Sequence, residues 1–150
     1  MLERDMEAEV LPLSIEKGIG TLVYGPLAHG LLAGEFQAGD QLSPDDWRSR
    51  YTLFEQPVFD KTLAAVDRLQ TIAAKHDRTL AHLALNWTLG RPGVTSTLVG
   101  MRQARHVDEN LGALGWGLSS EESDEIDAIV EAADLGVKIL DPDEYLEQVK

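Results

Sequence analysis

Two short apolar runs constrain this chain more than any other feature: Ile19-Gly20-Thr21-Leu22-Val23-Tyr24 and Val94-Thr95-Ser96-Thr97-Leu98-Val99. Both are rich in β-forming residues, and helical periodicity fills most of the sequence between them. Strands joined by helical crossovers pair in parallel, which places the chain in the α/β class. The first run lacks clean apolar–polar alternation, so it is expected to be buried on both faces. Two strands are too few for a self-contained parallel sheet with both edges covered. The topology therefore reads as part of a larger sheet.

The remaining elements follow from spacing and punctuation. Residues 5–17 carry Met6, Val10, Leu11 and Ile15 at helical intervals, with Pro12 placed to kink a helix or start its second part and Gly18 placed to end it. Residues 25–34 are glycine-punctuated loop, and residues 35–56 are expected to form a long, partly ordered surface loop holding Trp47 and Tyr51. Phe59, Leu63, Val66, Ile72 and Ala73 mark one face of a helix, which Asp77 and Arg78 break. Thr79 is placed to cap a second helix carrying Leu80, Leu83, Ala84 and Trp87. After the second strand, residues 103–114 read as a helix. Ser119-Ser120-Glu121-Glu122 is a capping box that opens a last helix with Ile126, Ile129, Val130 and Ala133 on one face.

Composition narrows the function classes. The 150 residues suit about one domain, taken as 1–150, and 26 acids against 13 bases give a formal charge of −13. So acidic a chain is a poor nucleic-acid binder. The most apolar stretch, residues 19–34, is interrupted by Pro26, His29 and several glycines, so no membrane span is expected. The start is charged and has no apolar signal region, and cysteine is absent, which excludes disulfides, thiolate metal sites and cysteine nucleophiles. The expectation is a soluble, cytoplasmic domain. The acids concentrate in residues 119–150, eleven of them against Lys138 and Lys150, and are read as a solvated outer helix and tail of the same domain. Arg102, Arg105 and His106 form a basic exception.

Ligands of α/β folds collect where strands end. After the first run, Gly25, Gly30 and Gly34 allow close backbone approach, with exposed N–H groups suited to a phosphate. The spacing is neither the dinucleotide fingerprint nor a Walker A loop, and on spacing alone a plain turn is the commoner reading. After the second run, Gly100-Met101-Arg102-Gln103 leads into a helix, where arginine beside a helix start suits an anion, although an ordinary surface arginine fits as well. His29, His76, His82 and His106 share no metal-ligand spacing, and no metal site is expected.

These residues carry a resemblance. Tyr24-Gly25-Pro26-Leu27-Ala28-His29-Gly30-Leu31-Leu32-Ala33-Gly34 resembles the Tyr-Ser/Gly-Pro-Leu-x-x-Gly-Leu-Leu-x-Gly segment of aldo-keto reductases. Val99-Gly100-Met101-Arg102 with Glu109-Asn110-Leu111-Gly112-Ala113-Leu114 is similar to that family's Val/Pro-Gly-x-Arg…Glu-Asn segment. Leu83-Ala84-Leu85-Asn86-Trp87 fits the helix between them, and Leu2-Glu3-Arg4 the end of the preceding strand. The resemblance implies the C-terminal part of a (β/α)8 TIM barrel, with two clear parallel strands and a third strand stump. It also implies an NADP (NADPH) site. Tyr24 would stack on the nicotinamide, and Gly25, Pro26, Leu27, Gly30 and Leu31 would embrace the pyrophosphate. Gly100, Met101 and Arg102 would meet the 2′-phosphate, and His106, Glu109 and Asn110 the adenosine, with His106 where many relatives carry glutamine.

The family's catalytic tyrosine, lysine, aspartate and histidine belong to strands of the N-terminal half. None of the five lysines here follows a strand, so no catalytic residue is assigned and this chain alone is expected to be inactive. The resemblance implies reduction of aldehydes or ketones only with the rest of the barrel. The alternatives are a noncatalytic NADP-binding or interaction module, or a truncated product without activity. Unpaired strand edges predict self-association or pairing with the missing half.

Overall fold

In the computed structural model, residues 1–137 are described. A helical layer and a two-stranded sheet form side by side. Helix α1 (Val10–Lys17) leads through Gly18, left-handed as a C-cap glycine should be, into strand β1 (Thr21–Tyr24). A short 3-10 turn (Asp5–Glu7) precedes α1, so the expected N-terminal helix is split, with Pro12 in the first turn of its second part. Residues 2–4 join no strand among the described residues. Instead Leu2 is buried, and Arg4 bonds to Glu7 and Asp127.

After β1 come a kinked 3-10 segment (Ala28–Ala33) and two more 3-10 turns (Trp47–Arg50 and Thr52–Phe54) inside the expected loop. Helices α2 (Val58–Lys75) and α3 (Leu80–Leu89) follow, then strand β2 (Val94–Leu98), α4 (Arg105–Leu111) and α5 (Ser120–Ala133). Helix α4 is shorter than the predicted 103–114, since residues 102–103 bend before it and residues 112–114 turn out of it. The capping predictions are met at both helices: Thr79 accepts from the His82 N–H, and Ser119 from the Glu122 N–H, each in a reciprocal box.

The core lies in the helical layer. Helix α2 packs on α3 and α5, and Leu69, Ile72, Leu83 and Ile126 are fully buried, joined by Leu31 and Leu32 from the turn after β1. A charge cluster fastens the N-terminal segment to this layer. Arg91 and Arg4 reach Asp127 at 2.6 and 3.2 Å, Glu7 bonds to both arginines, and the Trp87 indole donates to Asp127 at 3.1 Å beneath Arg91, whose guanidinium lies 4.0 Å from the ring centre. Thus the acidic stripe on α5 is not wholly solvated. Besides Asp127, Glu122 pairs with His76 at 2.7 Å and Glu125 with Lys75 at 3.2 Å. Residues 138–150, with the rest of the predicted acidic tail, lie outside the described residues. Among the described residues no helix is long and apolar enough to cross a membrane.

The sheet differs from the expectation of burial on both faces. β1 and β2 are parallel, with Leu22 opposite Ser96, Val23 opposite Thr97 and Tyr24 opposite Leu98. The register slips between Thr21 and Leu22, where the Thr21 N–H is taken by Thr95 Oγ1 at 3.0 Å. Neither strand contains a buried residue, and Leu22 and Leu98 are more than half exposed. The apolar run does form a parallel strand. The cover that would bury its second face is not among the described residues.

Candidate nucleotide-binding edge

Parallel pairing makes both strands end on the same side. Because Tyr24 lies opposite Leu98, the loops beginning at Gly25 and Val99 leave the sheet side by side. The residues expected to hold the two ends of a dinucleotide therefore share one edge.

Tyr24 is 81% exposed, so it is not the packed core residue that a strand-ending tyrosine often is. A shallow depression of about 60 Å³ beside it is lined by Tyr24, Gly25, Pro26, Ala28 and Leu32 among others. Gly25 has φ 65° and turns the chain back onto the helical layer. Pro26 and Leu31 are buried, which leaves the half-buried Leu27 and Gly30 as the accessible part of this turn. Gly30 needs its lack of a side chain twice over: its φ is 106°, and a Cβ would fall 2.5 Å from Glu35 Oε2.

The N–H groups of this loop are less available than its glycines suggested. Those of Ala28, Gly30, Leu32, Gly34 and Glu35 all donate to carbonyls within residues 25–31. Ala28 and His29 are also left-handed, at φ 46° and 57°. That conformation presents the His29 ring to Trp47 (5.0 Å, edge-on) and Tyr51 (4.6 Å, tilted). Burial, with the Arg48 charge nearby, holds the His29 pKa below its usual value. Arg48 donates to the His29 carbonyl, pairs with Asp46 at 2.7 Å and Glu35 at 3.7 Å, and lies over Phe36. Residues 35–56 are thereby pinned onto the turn after β1. The aromatic residues in a polar stretch were the available signal for this contact, and His29 as their target was missed.

On the second loop, Gly100, Met101 and Arg102 are exposed. Among the described residues no carboxylate pairs with the Arg102 guanidinium. Its backbone N–H donates to His106 Nδ1 at 3.2 Å, which folds the loop onto the start of α4. Glu109 pairs with Arg105 at 3.3 Å, and its carbonyl accepts from His82 Nε2. Asn110 is half-buried, and its Nδ2 is a buried donor without a partner among the described residues, which is costly unless something else accepts from it. An unpaired cation, an unspent donor and an open aromatic ring fit an anionic, aromatic ligand. A larger cavity, about 430 Å³, lies elsewhere: Asn86, Arg91, Trp116 and Ser120 line it beside the turn that enters β2, away from the strand ends. Among the described residues no group of three His, Asp or Glu side chains is placed to hold a metal ion.

Comparison with known proteins gives the family of the chain. Residues 1–131 match the model of the aldo/keto reductase family. The chain is 35% identical over 132 residues to "Aldo-keto reductase YhdN" of Bacillus subtilis, covering 87% of this chain and 40% of that protein. It is 32% identical to "NADH-specific methylglyoxal reductase" of Escherichia coli, covering 82% and 37%. A rice protein named "Probable voltage-gated potassium channel subunit beta" is 33% identical, covering 85% and 40%. The solved glycerol dehydrogenase AKR11B4 of Gluconobacter oxydans superposes with a TM-score of 0.81 at 31% identity, covering 91% of this chain and 41% of that one. The chain thus spans about 40% of the length of the relatives it matches, which accounts for a sheet of two strands with one face bare. This chain belongs to the aldo/keto reductase family.

Proposed function

We propose that this chain supplies the nucleotide-holding edge of an NADP-dependent reductase of aldehydes or ketones. The observation that carries the reading is the parallel register of Tyr24 with Leu98. It sets an 81% exposed tyrosine at the end of one strand beside the loop of an arginine that is unpaired among the described residues. Tyr24 offers a ring face for stacking, and the backbone of residues 25–31 a turn around the diphosphate. Arg102 offers a fork for a 2′-phosphate, and His106, Glu109 and Asn110 line the adenosine side. When bound, the reduced nicotinamide supplies the hydride that converts a carbonyl carbon to an alcohol carbon; the proton donor is assigned to the part of the barrel that this chain does not span. The setting proposed for that chemistry is the cytoplasm, with which a cysteine-free composition is compatible.

The bare face of β1 and β2 makes the complementary strands the natural partner, in the same polypeptide or in another. A second reading, a nucleotide-binding or interaction module without turnover, draws on the rice relative, whose name describes a channel subunit rather than an enzyme.

Titration with NADPH and NADH, followed by tryptophan fluorescence, tests the first reading. A charge-assisted hydrogen bond to a phosphate is worth about 1.5–3 kcal/mol, so NADPH should bind about 10- to 150-fold more tightly than NADH. Arg102→Ala should erase the difference. Equal affinities for the two nucleotides would contradict the NADP assignment. Carbonyl reduction on addition of the complementary barrel strands would decide for the enzyme over the module.

A further inference from the structure

Helix α4 carries the adenosine side of the proposed edge, yet it buries no side chain. Val107 and Leu111 are 45% and 56% exposed. Apolar packing fixes α2, α3 and α5 but does not fix this helix. What reaches it is polar and comes from one face of α3, from residues four apart. His82 Nε2 donates to the Glu109 carbonyl. Asn86 Nδ2 donates to the carbonyls of Ala113 at 2.9 Å and Trp116 at 3.0 Å, just beyond α4.

Both ring nitrogens of His82 are engaged. Nδ1 accepts from the Thr79 N–H at 3.3 Å, the side-chain arm of the capping box, while the His82 N–H donates to Thr79 Oγ1 at 3.2 Å. An imidazole that accepts at Nδ1 carries its hydrogen at Nε2, so the network assigns one tautomer, aimed at Glu109. Gly112 leaves room for the ring: a Cβ there would lie 2.6 Å from Nε2 and 2.7 Å from Cε1. The φ of Gly112 is an ordinary helical −61°, so the requirement is space and not backbone freedom.

We propose that His82 is a positioning residue for the nucleotide edge, locking α4 to the start of α3. The chain of bonds runs from Thr79 through His82 to Glu109, and the His106 bond to the Arg102 N–H extends it into the loop after β2. The function of this lock rests on the nucleotide-binding reading above; its existence does not.

Two substitutions test it. His82→Ala removes both bonds. His82→Gln keeps both kinds, because a carboxamide at the third helical position accepts and donates in the same capping role. With adenosine 2′,5′-bisphosphate as the probe in calorimetry, His82→Ala should bind about tenfold more weakly and His82→Gln should stay within about twofold of the unsubstituted chain. Nitrogen-15 relaxation of the unliganded chain gives a second readout. Amides of residues 105–111 should gain fast motion in His82→Ala and in Gly112→Ala, which crowds the ring, but not in His82→Gln, with α2 and α5 unchanged in all three.

Loss of order across every helix would mean an ordinary structural role and would overturn the proposal. Unchanged α4 dynamics and unchanged affinity in His82→Ala would overturn it as well. If the unsubstituted chain does not bind the probe, the nucleotide reading fails instead. Relaxation then still decides the lock: loosening confined to α4 upholds it, and none removes it.

Discussion

The helical layer and the strand layer of this molecule obey opposite rules. In α2, α3 and α5, apolar residues close on one another: Leu69, Ile72, Leu83 and Ile126 have no exposed surface. In β1, β2 and α4, no residue is buried, and Leu22 at 60% and Tyr24 at 81% exposure face outward. A helix with one apolar stripe can satisfy it against neighbouring helices, whereas a parallel strand is apolar on both faces and needs a layer on each. The relatives, a little over twice as long, have chain in which that second layer can reside. Stability is thus concentrated in the helices, and the residues proposed to hold the nucleotide sit on the layer that is still open.

That division can be broken at its strongest point first. Leu83→Ala or Ile72→Ala should cost about 2–5 kcal/mol in denaturant unfolding, because both empty a closed site. A cost below 1 kcal/mol would show that the helical layer is loosely packed.

Asp127→Asn comes next, at about 2 kcal/mol, the scale of hydrogen bonds to charged groups. Burial pushes the Asp127 carboxyl up. The Arg91 bond, the Arg4 and Arg91 charges and the Trp87 bond outweigh it and hold the pKa below the usual value. A depressed folded pKa gives stability that is fully present above the unfolded value near 3.9 and lost as pH falls through the folded one. The unsubstituted chain should therefore lose stability on acidification below about pH 4 more steeply than Asp127→Asn. Parallel pH profiles would remove Asp127 from the account.

The smallest effect is expected on the sheet. Leu22→Thr should change stability by less than about 0.5 kcal/mol while reducing self-association in sedimentation. A large loss of stability would mean that the bare face is covered.

Much of the helical layer was legible in the sequence because its signals are local. Phe59, Leu63, Val66 and Ile72 recur at helical spacing and are buried, or nearly so, where that spacing puts them, and the Ser119–Glu122 box announces the start of α5. The two strands and their parallel pairing were legible for the same reason, as was the side-by-side start of the two loops that follow them. What escaped the sequence depends on partners far along the chain. Arg4, Arg91 and Asp127 meet across separations that no spacing encodes, so an acidic helix looked wholly solvated. His29 adopts a left-handed backbone that its residue type does not announce, so its contact with Trp47 and Tyr51 was invisible. His82 sits at the third position of a capping box usually filled by Glu or Gln, and its reach to α4 depends on the empty space over Gly112.

Amide hydrogen exchange of the whole chain, with and without NADPH, tests the central claim most directly. The division of the molecule implies slow exchange in α2, α3 and α5 under both conditions. It implies fast exchange in β1, β2 and residues 100–112 of the free chain, with slowing at residues 25–34 and 100–112 when NADPH is added. Strands already as protected as the helices in the free chain, or loops that NADPH leaves unchanged, would contradict it.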